Sequence, residues 1–258
     1  GLPARERRCG CPCWRNDDKM VIAYTILLAI LCFSAFSLED SSTKGVLTVQ
    51  SIILLTVPLV SIIFATIYLY NSNEFIELLL SQPVQRRKIW VSLFIGLAMS
   101  LLAAFLLAAG VPLFLYAPLN LALVMIMIGS LITVIFVALA CLCAMLTRDK
   151  AKGIGLAILI WLFFALLFDG LLLFFLVQFS DYPIEKPLIF MASLSPIDLS
   201  RILMQLHMDV SAMMGYTGAI FKNFFGNVTG FVIALLLLIL WIVVPFWISL
   251  RKFIRKDL

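Results

Sequence analysis

Residues 74–90, EFIELLLSQPVQRRKIW, lie between two long apolar runs and decide how the chain is arranged. Glu74 and Glu77 would occupy the first turn of an amphipathic helix, where a carboxylate interacts favourably with the helix dipole. Pro83 ends that helix, and the basic run 86–88 follows at the mouth of the next apolar run. A spanning helix needs about 20 apolar residues, so the stretch predicts a short interfacial helix. The basic run places it on the cytoplasmic face under the positive-inside rule.

A short helix of this kind has two interpretations. It is a coupling helix that fits a groove on a soluble partner, or it only anchors the loop between two spans. The first interpretation requires a partner at the cytoplasmic face, and the second requires none. The residues themselves leave both open.

The composition excludes an ordinary soluble domain. Of the 258 residues, 64% are hydrophobic and only 13% are charged, and the charges cluster at the ends of apolar runs. These features predict an all-α polytopic membrane protein with six transmembrane helices. The predicted spans are 21–37, 46–70, 90–115, 121–146, 154–178 and 228–250.

The basic residues predict which side of the membrane each connection occupies. The two chain ends and the connections after the second and fourth spans hold 15 of the 19 Lys and Arg residues. Both termini are therefore expected in the cytoplasm. This topology accounts for the net charge of +5, which gives no indication of nucleic-acid binding.

The first 20 residues differ in composition from the rest. Segment 1–20 is basic and Cys-rich and has no apolar stretch typical of a cleaved signal peptide. Cys9, Cys11 and Cys13 suggest a soft-metal thiol cluster, although their spacing is not that of a zinc knuckle or a redox CxxC motif. A poorly ordered cytoplasmic tail is the alternative. We therefore divide the chain into this segment and a permease-like domain, 21–258, with an extracytoplasmic insertion at 179–227.

Small and polar residues within the spans indicate contacts. Gly153 and Gly155 would let helices approach closely at the start of the fifth span. Asp169 is the one acidic residue inside a predicted span, and burying it alone would be costly. It is either a structural or subunit-interface residue or part of a proton relay. A relay would need a second ionisable group at similar depth, which the other spans lack.

The insertion 179–227 contains a second amphipathic helix. Ser195 is suited to the N-cap, Pro196 to the first helical position and Asp198 to the first turn. This helix is expected to lie flat on the outer membrane surface or against a partner. Its polar face comprises Asp198, Arg201, Gln205 and Asp209.

One flank of this helix carries Met204, His207 and Met208 within an arc of about 100°. Thioether and imidazole groups together suit Cu(I), which would make this flank a transient copper contact. Methionine is also an ordinary apolar residue in an amphipathic helix, so packing is the alternative.

Signatures of enzyme chemistry are absent from the sequence. There is no GxxxxGK[ST] loop for ATP, no HExxH motif and no GxSxG motif. We therefore expect no enzyme activity and no cofactor bound by this chain. Any ATP and Mg²⁺ would be bound by a separate ATPase chain.

Four segments resemble known permeases. LLLSQPVQRRKIW (78–90) resembles the run after the second span of type-two ABC exporter permeases. Three further segments resemble the NosY family, the membrane subunit of an ABC complex that supplies copper to nitrous oxide reductase: LLFDGLLL (166–173), LSPIDLSRIL (194–203) and MGYTGAIFKNFFG (214–226). The resemblance covers residues 21–258.

The resemblance implies a bacterial inner-membrane homodimer. Its expected partners are two ABC ATPase subunits inside and a periplasmic copper-handling β-helix protein outside. A membrane-anchored copper chaperone is a further implied partner. The implied ATPase contacts are Glu74, Phe75, Glu77, Leu78, Leu79, Gln82, Arg86 and Arg87. The implied outer-partner contacts are Asp198, Arg201, Gln205, Asp209 and Tyr216. Two alternatives remain: a conventional exporter permease for a lipid or hydrophobic solute, and a passive membrane anchor or scaffold.

Overall fold

The computed structural model describes residues 12–38, 42–72, 76, 78, 85–147, 149–178, 185–206 and 228–255, and this part of the chain is helical with no strand. The helices are α1 (Pro12–Leu38), α2 (Ser42–Asn71), α3 (Arg86–Phe105), α4 (Val111–Tyr116), α5 (Leu119–Leu146), α6 (Lys150–Leu162), α7 (Phe168–Gln178), α8 (Glu185–Leu194), α9 (Pro196–Leu206) and α10 (Val228–Arg255). One π-helical turn, Leu106–Gly110, joins α3 to α4, and another, Phe163–Leu167, joins α6 to α7.

Six helical segments among the described residues are long and apolar enough to cross a membrane, which confirms the predicted fold class. They are Lys19–Leu38, Lys44–Asn71, Arg86–Tyr116, Leu119–Leu146, Lys150–Phe175 and Gly230–Arg255. The third and fifth spans each contain a π-helical turn, a feature frequent at functional sites.

The first helix begins earlier than the apolar run that predicts it. α1 starts at Pro12, within the segment 1–20 that its composition sets apart. Proline is favoured in a first helical turn because its missing N–H is not needed there. Cys13 is one of these helical residues, whereas Cys9 and Cys11 lie outside the described residues.

α5 lies at the centre of the bundle and contacts α2, α3, α6, α9 and α10. Lipid is as apolar as the side chains, so close packing contributes more to helix association here than apolar burial does. Gly129 of α5 shows how close this packing is, because a Cβ at this position would overlap the Phe105 ring of α3. Phe105 is fully buried, as are Ala104 and Ala108 on the same span.

The described part of the amphipathic helix of the insertion packs against other helices of the same chain. α9 packs against α2, α5, α8, α10 and the second π-helical turn. Eight of its 11 residues are buried. The amphipathic pattern showed that one face of α9 must be covered, but it could not distinguish lipid headgroups from the ends of neighbouring helices.

Candidate functional site

Two groups of side chains at opposite ends of the bundle are candidates for function. The inner end is where α2 and α5 finish and α6 begins. The outer end holds α8 and α9. These names follow the sidedness predicted from the basic residues.

At the inner end, Ile76 holds the start of the predicted interfacial helix through a backbone hydrogen bond and a buried side chain. The Ile76 N–H donates to the Ser72 carbonyl at 2.9 Å, and the Ser72 N–H donates to the Tyr68 carbonyl at 3.0 Å. Ile76 is only 4% exposed, whereas Leu78 is 66% exposed. These two apolar residues, two positions apart, thus have different environments. Ile76 packs against the bundle, and we call it the Ile76 anchor, whereas Leu78 is exposed.

Ile76 packs into an apolar group that we call the inner cluster. It consists of Leu69, Ile76, Trp90, Cys141, Ala144, Leu250 and Phe253. The Trp90 and Phe253 rings stack with their centroids 4.5 Å apart, and the Phe94 and Phe246 ring centroids are 4.3 Å apart. The Ser249 hydroxyl donates to the Cys141 carbonyl at 3.0 Å. The last turns of α10 are therefore packed against α3, α5 and the Ile76 anchor.

A second set of inner contacts joins α2 to the connection between α5 and α6. The Tyr70 hydroxyl donates to the Thr147 carbonyl at 3.0 Å and also bonds the Thr147 hydroxyl at 2.6 Å. Lys150 donates to Asn71 Oδ1 at 2.7 Å. The Tyr70 ring lies against Gly153, where a Cβ would overlap it. No comparable contact surrounds Gly155, so only Gly153 provides the expected close approach.

Three of the eight predicted ATPase contacts fall within the described residues. Leu78, Arg86 and Arg87 are exposed at the inner end, as a partner contact would require. Glu74, Phe75, Glu77, Leu79 and Gln82 lie outside the described residues, so the contact itself stays a prediction. Ile76 was not among the predicted contacts, because its burial depends on the ends of other helices.

At the outer end, Arg201 lies between two carboxylates. Its Nη1 donates to Asp169 Oδ1 at 2.8 Å and lies 3.5 Å from Asp198 Oδ1. The Arg201 and Asp169 side chains are 33% and 35% exposed. The Gln50 amide of α2 donates to the Arg201 carbonyl at 3.3 Å. We call Asp169, Asp198 and Arg201 the outer ion-pair cluster, which links the fifth span to α9.

Asp198 is the buried member of this cluster. Ser195 caps α9 as predicted, because its hydroxyl accepts the Asp198 N–H at 3.3 Å. The Asp198 side chain is only 5% exposed, and its Oδ2 has no hydrogen-bond partner among the described residues. Burial raises the pKa of Asp198 above its ordinary value and the charge of Asp169 adds to the rise, while Ser195 and the charge of Arg201 oppose it. Ionised Asp198 is therefore less favourable in the folded chain than in the unfolded chain.

The outer ion-pair cluster bears on two of the predictions. Asp169 forms an ion pair with Arg201, as a structural residue would. Asp198 is a second acid in the same cluster, but it lies on α9 and outside the spans. Of the predicted outer-partner residues, Asp198 lies beneath the surface, whereas Arg201 and Gln205 are partly exposed. Asp209 and Tyr216 lie outside the described residues. Gln50 was not predicted, although a lone amide in an apolar run is the kind of signal that could have identified it.

The predicted copper flank is only partly described. Met204 is fully buried, and His207 and Met208 lie outside the described residues. Within the described ranges, no group of three or more His, Cys, Asp or Glu side chains could hold a metal ion. The contact between this flank and copper stays a prediction.

Helix α2 connects the inner and outer ends of the bundle. Gln50 of α2 bonds α9, and Tyr70 of α2 bonds the inner connection, 20 residues further along. At 1.5 Å per residue, these contacts lie roughly 30 Å apart, which is about the thickness of a bilayer core. α2 and α10 both contact α9 and both reach the inner end, so two continuous helices link the two ends.

Comparison with known protein families identifies the chain. The family model described as ABC-2 family transporter protein matches residues 16–258. A search of curated proteins finds no match. Since the family model covers nearly the whole chain and the six candidate spans agree with it, this protein belongs to the ABC-2 family and is a multi-pass membrane subunit of an ABC transporter.

Proposed function

We propose that this chain transmits the movement of two cytoplasmic ATPases to a periplasmic copper-handling partner that serves nitrous oxide reductase, as the NosY resemblance implies. The chain acts as a homodimer in the bacterial inner membrane, with both termini in the cytoplasm. It has no ATPase site of its own. ATP and Mg²⁺ are bound by the partner ATPases, and copper is a transient cargo.

The observation that carries this proposal is the contact between two of the segments that resemble the NosY family. Asp169 belongs to LLFDGLLL and Arg201 to LSPIDLSRIL, and the two side chains form an ion pair at 2.8 Å. A link between the fifth span and α9 serves a subunit whose outer layer must move together with its spans. A passive anchor has no need for such a link.

The transmission begins at the interfacial segment. Closure of the ATPases pushes on Leu78 and the exposed arginines, and Ile76 passes that displacement to the inner cluster. Packed interiors transmit strain because they are dense. α2 and α10 carry the displacement to the outer end, where Gln50 and the outer ion-pair cluster hold α9.

Copper enters the proposal only as cargo. Met204 is fully buried, so a copper contact through its thioether requires α9 to move away from the bundle. ATP-driven displacement of α9 would expose Met204, so the same movement that acts on the periplasmic partner would open this flank.

The test is copper loading of nitrous oxide reductase in cells that carry Asp169→Asn or Arg201→Gln. Asp169→Asn leaves Arg201 with Asp198 alone, and Arg201→Gln leaves both carboxylates without their cation. We expect reductase copper content to fall at least about tenfold in each variant while ATPase subunits still co-purify with the chain. Lys152→Gln is the control, because it breaks an exposed pair with Asp149 at the inner end that contributes little. Full copper loading in both outer variants would refute the proposal.

Two further measurements separate the alternatives. A conventional exporter would show no binding to a periplasmic protein in pull-downs from periplasmic extract. A passive scaffold would support normal copper loading when the ATPase subunits cannot hydrolyse ATP.

A further inference from the structure

A groove at the inner end of α10 combines apolar and cationic side chains. Its volume is about 450 Å³, and the described residues that line it are Met145, Trp247, Ile248, Arg251, Lys252 and Arg255. Five of these six lie on α10 at positions that share one helix face. None of the six is acidic.

The two halves of the groove differ in chemistry. Trp247 and Ile248 form an exposed apolar half, which continues along α10 into exposed Val243 and Val244 on the span. The other half carries three exposed cations. The Arg251 guanidinium lies 3.6 Å from the Trp247 ring centroid, a cation–π contact that favours this position of the charge.

We propose that this groove binds an anionic phospholipid, with the phosphate at the three cations and an acyl chain along Trp247 and Ile248. Basic pockets beside spanning helices are suited to anionic headgroups, and tryptophan is typical of the membrane interface. The apolar half extends toward the middle of the span, which suits an acyl chain better than an acidic protein segment.

The topology of the chain alone does not require this arrangement. Orienting a span needs positive charge near its end, but it needs neither a cavity nor a stacked arginine. Phe253 lies between the cationic residues in sequence but faces inward, where it stacks on Trp90 of the inner cluster. A phospholipid held in the groove would therefore fix the part of α10 that contacts the Ile76 anchor.

The experiment uses the complete complex in nanodiscs that contain phosphatidylglycerol with brominated acyl chains, because bromine quenches nearby tryptophan. We expect quenching at low phosphatidylglycerol content, and we expect Trp247→Phe to remove that component. The triple variant R251Q/K252Q/R255Q should weaken the apparent affinity for this lipid at least about tenfold. The control K19Q/K150Q/K152Q removes the same charge at the same end from exposed residues outside the groove and should change the apparent affinity less than about twofold.

Four outcomes would overturn the proposal. Equal losses in the two triple variants would mean diffuse surface charge, and no loss in the groove variant would mean no site. Equal quenching by brominated phosphatidylcholine would mean contact without headgroup recognition. If the groove variant keeps its lipid but loses the ATPase subunits, the groove is a protein contact.

Discussion

Arg201 is the residue on which the outer end depends. It faces two carboxylates, Asp169 and Asp198, so the outer ion-pair cluster carries one more negative than positive charge when both acids are ionised. Its pair with Asp169 is about one-third exposed, and water screens such pairs, so the pair stabilises the fold by about 1 kcal/mol or less.

Asp198 gives this end of the molecule a pH dependence. Its raised pKa means that the folded chain binds a proton more tightly than the unfolded chain, whose Asp pKa is about 3.9. The ionised form therefore reduces stability above the folded-state pKa, and this loss is relieved as the pH falls through that value. We expect Asp198→Asn to raise the thermal unfolding midpoint at about pH 8 and to lose that advantage toward about pH 4. A midpoint difference that does not change with pH would contradict this account of the cluster.

Two glycines of α6, Gly153 and Gly155, differ in how closely a neighbouring side chain packs against them. Tyr70 is held by two bonds to Thr147, so its ring cannot leave Gly153 without breaking them. We expect Gly153→Ala to destabilise the protein by about 1–3 kcal/mol and to lower its unfolding midpoint by several degrees. Gly155→Ala is the matched control, because nothing lies within 4 Å of its added Cβ and alanine is the better helix former. Equal effects in the two variants would mean that the Tyr70 contact is unimportant.

The helices themselves could largely be predicted from sequence, and their contacts could not. Apolar length alone identifies all six spans, and the Ser195-Pro196 pair identifies the start of α9, because both signals are local. The partner of Asp169 is 32 residues away, and Gln50 reaches a carbonyl 151 residues away. Gly153 and Gly155 look equivalent in the sequence, because the contact that distinguishes them is also made by a residue distant in the chain. Which of them matters depends on where Tyr70 is placed by another helix.

The whole molecule has a rigid centre and two attachments at its ends. α5 is packed on most sides, α9 joins the bundle through its buried face, and Ile76 joins it at the inner cluster. If the ends move together, the ligand state of the ATPases must change the outer end although no nucleotide contacts it. Such coupling is a free-energy difference between two states and can be measured at either end.

Hydrogen exchange in the complete complex tests this coupling. We expect trapping of the ATPases with ATP and vanadate to change amide exchange in α9, while α5 stays protected because it is buried. Leu78→Ala should abolish the change in α9 without lowering the unfolding midpoint, since the side chain is exposed and contributes little to packing. Leu106→Ala is a suitable control, because it removes an equally apolar, exposed side chain from a span. If α9 responds to ATP equally in the Leu78 variant and the wild type, the interfacial segment does not drive the outer end, and the Ile76 anchor is only a structural contact.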